Sequence, residues 1–344
     1  MNRCSRCILP DSYPDITFDV TGVCSECKDY DQRYATRDFT QLESELARIA
    51  DWARKQGKQY DCLVPFSGGK DSSYTLYVCR KKLGLKVLAA NFNNGLRTPE
   101  GLANIEHITR VTNSALVSYG PSWETMRKLY RAFFLATGQF CFACDMGILA
   151  TVIRTAEDYD VPLIIGGFST QIESLSKKIY SFNNKLLRQI ASSVISKAEM
   201  RDFLEEELID KVLRRLKHGR LTRYRRMISL PDYMVWDDAE IKRVISEELA
   251  WKPRADGSSD HIDCYFPPMK AYFSIQKWGL GEKTTKFAAM ARAGQITRDE
   301  ALERARAEES RNIDVTIEEF KDRLNVTVDD LAAAKSKTHL QFMH

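Results

Sequence analysis

The chain has 344 residues, 44% of them hydrophobic, and its 51 basic against 47 acidic side chains leave a formal net charge of +4. That is apolar matter enough for one large domain with appendages or for two ordinary ones, which excludes a disordered chain, and the charge is too near balance to demand nucleic acid. No apolar run approaches the ~18 residues of a membrane span, and Met1-Asn2-Arg3-Cys4 is no secretory start, so a cytoplasmic protein with no membrane partner is expected.

Nine cysteines, six of them in three Cys-x-x-Cys pairs, favour metal ligation over disulfides in a reducing compartment. Residues 1–35 carry Cys4, Cys7, Cys24 and Cys27, with Pro10 and Pro14 and little apolar periodicity. Such a segment cannot fold on hydrophobic burial and is expected to be stapled by metal. Cys4-x-x-Cys7 and Cys24-x-x-Cys27, 16 residues apart, match two zinc knuckles closing one tetrahedral site. Four thiolates fill Zn²⁺ and leave no position for catalysis, so the role is structural.

Leu42, Leu46, Ile49 and Ala53 recur at helical spacing and predict an amphipathic helix over 39–55 that links this module to the main domain. A short apolar run at 60–66, a small-residue turn at 67–73 and helical spacing from Tyr74 to Leu83 read as strand, glycine loop and helix. Further strands are expected at 86–92, 116–119 and 161–165, each separated by a helical segment. Strands alternating with helices imply an α/β fold with a doubly wound parallel sheet. From about 174 to 250 the texture is long, charged and helix-forming with no convincing strand. Two charged helices follow near 298–311 and 317–324.

The glycines of Ser67-Gly68-Gly69-Lys70-Asp71-Ser72-Ser73 permit close backbone approach, and the helix behind them offers unpaired N–H groups and a positive dipole end to an anion. Lys70 would add a point charge, and Ser67, Ser72 and Ser73 hydroxyl donors. The spacing differs from the Walker pattern, which disfavours kinase or GTPase chemistry. Asn91 and Asn93 close the second strand on the same sheet edge, where they either contact adenine or ribose or cap a turn. Gly166-Gly167 closes the fourth strand there, so the following loop, with Ser169, Gln171 and Glu173, would border the nucleotide or substrate.

The third pair, Cys141-x-x-Cys144, is read as lying just before a helix that runs from about Met146 to Tyr159, where a helix N-terminus lowers a thiol pKa. Cys264 stands in a polar, proline-rich segment. The three either hold three corners of a 4Fe–4S cluster with one iron open or are buried cysteines of no special chemistry. Cys62 and Cys79, in the strand before the loop and the helix after it, are expected in the core.

The heptamer 67–73 resembles the PP-loop, Ser-Gly-Gly-x-Asp-Ser, of the adenine nucleotide α-hydrolase-like (HUP-type) superfamily. The resemblance implies ATP with Mg²⁺, attack of a substrate oxygen on the α-phosphate, and release of pyrophosphate, with Lys70 and Asp71 as catalytic candidates. With Cys4-x-x-Cys-x-Leu-Pro10, the stretch from Ile16 to Cys27, Trp251-Lys252 and 293–301, nearly the whole chain looks like the N-acetyl sugar amidotransferase family. That family implies a nucleotide-sugar substrate and ammonia from a separate glutaminase subunit, converting an acetamido to an acetamidino group in surface-polysaccharide biosynthesis. The implied division is a zinc-ribbon-like module over 1–35, a PP-loop nucleotide-binding domain over 36–175 and a helical substrate-binding and C-terminal region over 176–344. The Cys141, Cys144 and Cys264 arrangement resembles that of PP-loop tRNA thiolases instead, which implies a sulfur donor and a tRNA or small-molecule acceptor.

The tract from Lys211 to Arg226 is the densest positive patch and either meets phosphates or forms a solvated amphipathic helix. A zinc-ribbon module that binds RNA without turnover is the non-enzymatic alternative, and a homodimer is left open.

Overall fold

The computed structural model of the chain describes residues 2–34, 37–168, 176, 179, 184–203, 220–222, 225–255 and 262–342. Ser169, Gln171 and Glu173, and of the basic tract residues 211–219, 223 and 224, lie outside them.

Six strands form one sheet in the order β3-β2-β1-β4-β6-β5: β1 Cys62–Pro65, β2 Val87–Phe92, β3 Ala115–Tyr119, β4 Leu163–Gly166, β5 Arg220–Thr222 and β6 Arg225–Ser229. The first four and β6 pair in parallel, and β5 turns back antiparallel on β6. Side chains alternate between the two faces of the sheet. Val64, Ala89 and Ile165 point to a core shared with helices α2 (Phe39–Lys55), α3 (Lys70–Tyr77), α4 (Pro99–Val111) and α9 (Asp238–Leu249). Leu63, Leu88 and Ile164 pack instead against Val152, Ile153 and Ala156 of α6 (Cys141–Asp158). Both faces are therefore covered, as a doubly wound sheet requires. Cys62 and Cys79 are fully buried in the first of these cores.

Helix α1 (Ser25–Tyr34) follows the second cysteine pair, and α5 (Trp123–Thr137) packs on α6 under an aromatic cluster. The C-terminal region, after α7 (Asn184–Ala191) and α8 (Lys197–Phe203), is helical from α9 onward: α10 Pro267–Trp278, α11 Thr284–Arg292, α12 Arg298–Glu309, α13 Asp314–Leu324 and α14 Val328–Ala334. The four N-terminal cysteines pack with Leu280, Phe287, Ala301 and Ala305 of this region. Among the described residues no helix is long and apolar enough to cross a membrane.

Three local readings are corrected. The charged stretch before residue 250 does contain a strand, β6, which pairs with β4 over Leu163–Gly166, and the end of the basic tract is this hairpin and not helix. Arg226 stacks over the Trp52 ring at 4.4 Å and Arg225 reaches Asp160 at 3.0 Å, so arginines hold a strand, one in from the sheet edge, that hydropathy could not reveal. Helix α6 starts at Cys141, not near Met146, behind an N-cap, Phe140, that has no side-chain acceptor. Helix α3 starts at Lys70, inside the loop motif, and runs into a π-turn at Val78–Lys82.

Candidate active site at the sheet edge

The strand order reverses between β1 and β4, and the loop 67–73 leaves β1 at that switch point, where open α/β sheets form a crevice. Gly68 adopts φ +80°, and a Cβ there would lie 2.6 Å from Gly101 O, so only glycine fits. The loop's carbonyls are tied back into the protein: Trp251 Nε1 donates to Gly68 O at 3.0 Å and Arg97 Nη1 to Ser67 O at 3.0 Å. Gly69 is the N-cap of α3 and has no side chain to give, so the first-turn amides stay available to an anion. Ser67 Oγ and Ser72 Oγ lie 3.3 Å apart. Ser73 Oγ is fully buried and has no hydrogen-bond partner among the described residues.

Lys70 is turned inward. Its side chain is 3% exposed, with Nζ 2.5 Å from Asp71 Oδ1 and 3.0 Å from Asp238 Oδ1. Burial would lower its pKa, but the two carboxylates outweigh burial and hold it above the ordinary lysine value. Asp238, at the start of α9, also faces Lys242 at 2.6 Å and Lys286 of α11 at 3.2 Å. Against burial, these cations keep its carboxyl below the usual range. Asp71 is 42% exposed and accepts from Trp236 Nε1 at 3.1 Å.

Asp238, Trp236, Trp251 and Arg97 were not singled out as site residues in the sequence. Trp251 carried a signal, as half of the Trp251-Lys252 pair. Asp238 carried none, because its partner lies 168 positions earlier in the chain.

Asn91 is 2% exposed, donating from Nδ2 to Phe66 O at 2.5 Å and accepting from Ser118 Oγ at 3.1 Å. Its side chain braces the sheet. Asn93 is exposed and its Oδ1 accepts from Gly95 N at 3.1 Å, a turn-capping bond. At Gly167 a Cβ would meet Thr75 Oγ1 at 2.5 Å, so the end of β4 packs hard on α3, and Gly166 faces the Phe168 ring.

Cys141, Cys144 and Cys264 pack against one apolar cluster around Tyr130. Asn94 Nδ2 lies 3.7 Å from Cys144 Sγ, and the Asn94 carbonyl accepts from Tyr130 OH at 2.8 Å. Each cysteine is half-buried, yet burial pushes all three thiols up, with Asp145 adding at Cys144 and Asp263 at Cys264. The expected lowering by the helix N-terminus is thus overcome. Arg97 bridges this group and the loop: it sits between Ser67 O and the electrostatic field of Asp263, Cys144 and Cys264, and burial lowers its own pKa.

The N-terminal cysteines differ. Cys4, Cys7, Cys24 and Cys27 are fully buried, and their sulfurs all lie within 4.8 Å of one another, the one such group among the described residues. Cys4–Cys27 and Cys7–Cys24 Sγ separations are 3.8 and 3.7 Å. A tetrahedron with Zn–S of ~2.3 Å has edges of about 3.8 Å. Backbone N–H groups of Arg6, Cys7 and Cys24 point at Cys4 Sγ at 3.3–3.4 Å, a set that suits a thiolate. Donor chemistry and geometry fit a metal ion held for structure.

Residues 218–344 match the family model described as LPS biosynthesis protein WbpG-like, C-terminal domain. An uncharacterized protein of Methanocaldococcus jannaschii is 23% identical over 209 residues, which are 59% of this chain and 72% of that protein. The tRNA thiolase NcsA from Methanococcus maripaludis with its 4Fe–4S cluster aligns over 91% of this chain and 90% of its own at 13% identity, with a TM-score of 0.37. The family match covers the C-terminal segment alone and does not include the loop at 67–73.

Proposed function

We propose that the chain is an ATP-dependent PP-loop enzyme that adenylates an amide or carbonyl oxygen and lets ammonia displace the adenylate, acting as an N-acetyl sugar amidotransferase in lipopolysaccharide biosynthesis. One observation carries this reading: the segment that matches the lipopolysaccharide family supplies Asp238, Trp236 and Trp251 to the glycine–serine loop, so the two motifs make one site.

An amide carbonyl is a poor electrophile. Attack of its oxygen on the α-phosphorus of ATP breaks the α–β phosphoanhydride, releases pyrophosphate and leaves an O-adenylyl imidate. Ammonia then attacks the imidate carbon, and the oxygen departs with AMP, leaving an amidine. The protein's part is positioning and charge. The amides at Gly68–Asp71 and the hydroxyls of Ser67, Ser72 and Ser73 would face the phosphates, and half-exposed Asp71 would hold Mg²⁺. Lys70 would act from behind the loop, its charge balanced by Asp238 in the absence of nucleotide. Ammonia would come from a glutaminase subunit.

The test supplies ATP, Mg²⁺, a uridine-diphosphate N-acetyl sugar and ammonium. AMP and pyrophosphate in equal amounts are expected, whereas ADP with orthophosphate overturns the reading. A second reading has one observation in its favour, the gathering of Cys141, Cys144 and Cys264 about Tyr130 beside Arg97. In it the three thiols hold a 4Fe–4S cluster and the nucleophile is sulfur. Iron and acid-labile sulfide in anaerobically purified wild type, lost in Cys144→Ser, would decide for it.

A further inference from the structure

Helix α11 ends on Arg292, whose side chain turns away from solvent and into the cysteine module. The residue is 8% exposed. Its Nη1 lies 3.8 Å from Cys7 Sγ, its Nε has no hydrogen-bond partner among the described residues, and no carboxylate among them pairs with it. The ionisable neighbours bring no negative charge. Tyr13 and Tyr30 are phenols whose pKa burial raises, so both are neutral at pH 7. Arg6, whose Nη2 donates to Arg292 O at 3.3 Å, is a cation already paired with Asp31 at 2.5 Å. A guanidinium withdrawn from water without a counter-charge is costly.

Bound metal would supply that counter-charge. A divalent ion that displaces the protons of four thiols leaves a centre with two negative charges in excess. Here the centre is fully buried with its four cysteines. Leu9 N lies 3.5 Å from Cys7 Sγ, and the amides around Cys4 Sγ add further dipoles, which share negative charge but do not neutralise it. Arg298, the first residue of α12, donates from Nε to the carbonyls of Cys4 and Cys7 at 2.9 and 3.1 Å, so the first knuckle is fixed against the helices that carry Arg292. Both arginines belong to the segment 218–344.

The structure assigns to Arg292 the role of a positioning residue for the metal centre: from outside the coordination shell it neutralises the metal–thiolate charge, and so makes docking of α11 on the module depend on a bound metal. The inference rests on the fit of the four thiols to a metal and is independent of the adenylation reading. In the metal-free chain no such charge gathers, the guanidinium is better hydrated, and the end of α11 parts from the module. The dependence is reciprocal, because what favours docking favours the metal by the same factor.

Full-length protein stripped of metal and reloaded with Zn²⁺ or Co²⁺ tests this. In competition with a chromophoric chelator, Arg292→Met should bind zinc at least about tenfold more weakly than wild type, the usual effect of losing an outer partner of a metal ligand. Arg292→Lys keeps the charge and should recover most of that loss. In the cobalt form the sulfur-to-metal charge-transfer band should move to longer wavelength in Arg292→Met, since a sulfur relieved of a nearby cation gives up electrons more readily, and should return in Arg292→Lys. Thermal melts separate this role from simple packing. Loaded Arg292→Met should melt below loaded wild type, while the two metal-free proteins should melt together, because residue 292 then faces water in both. Equal zinc affinity in Arg292→Met and wild type, Arg292→Lys as weak as Arg292→Met, or the same melting deficit with and without metal overturns the proposal. A wild type that takes up neither zinc nor cobalt overturns it together with the metal site, and leaves the adenylation reading standing.

Discussion

The N-terminal cysteine module and the C-terminal edge of the sheet use polar groups in opposite ways. In the module every cysteine is buried, the sulfurs face one another, and backbone N–H groups close around them. At the sheet edge α3 begins without a side-chain cap, Ser73 Oγ and Arg97 Nε lack partners among the described residues, and three half-buried thiols cluster beside Arg97. A closed set of donors and acceptors serves stability. An open set costs stability and is kept where something must bind.

The largest break between the two regions should come from the module. Cys7→Ser, or metal removal with a strong chelator, should unfold residues 2–34 and loosen their contact with α11 and α12, because a structural metal contributes on the order of 10 kcal/mol to such modules. A thermal melt coinciding with that of wild type would remove the distinction. Next, Asp238→Ala leaves Lys70 buried with one carboxylate in place of two, at a cost of about 3 kcal/mol by urea denaturation. The sign with pH follows from the depressed folded pKa of Asp238. Its stabilisation is complete above the ordinary carboxylate range and is lost as pH falls below it, so wild type should lose more stability on acidification than Asp238→Ala.

Cys144→Ser should cost less, about 1 kcal/mol, since its thiol accepts a long contact from Asn94 at 3.7 Å. Collapse of the fold in this variant, comparable with Cys7→Ser, would show the two cysteine groups to be alike. The smallest stability effect sharpens the comparison most. Ser73→Ala removes a buried hydroxyl with no partner among the described residues, so its stability should stay within about 0.5 kcal/mol of wild type or rise, while ATP turnover falls by about tenfold. Unchanged turnover would show that hydroxyl to be idle.

Much of this was legible in the chain. The 3.6-residue spacing of Leu46, Ile49 and Ala53 marks α2, and the apolar runs mark β1 to β4. The β5–β6 hairpin was not legible, because Arg226 and Arg225 are held by Trp52 and Asp160, which no local pattern names. The start of α6 was missed for a related reason: Phe140 offers no capping oxygen, the usual sign of a helix beginning.

Spacing over a few residues was therefore sufficient for the glycine turn, the cysteine knuckles and the alternation of strand and helix, since backbone dihedrals, hydrogen-bonded turns and ligand bites are short-range constraints. Which groups meet across the fold was settled only by packing. Lys70 was legible from the loop motif but its partner Asp238 came to it only with the packing of α9, and Cys264 joined Cys141 and Cys144 only once α6 and the segment before α10 shared one core. Burial and opposing charge act through space, over contacts that sequence separation does not encode.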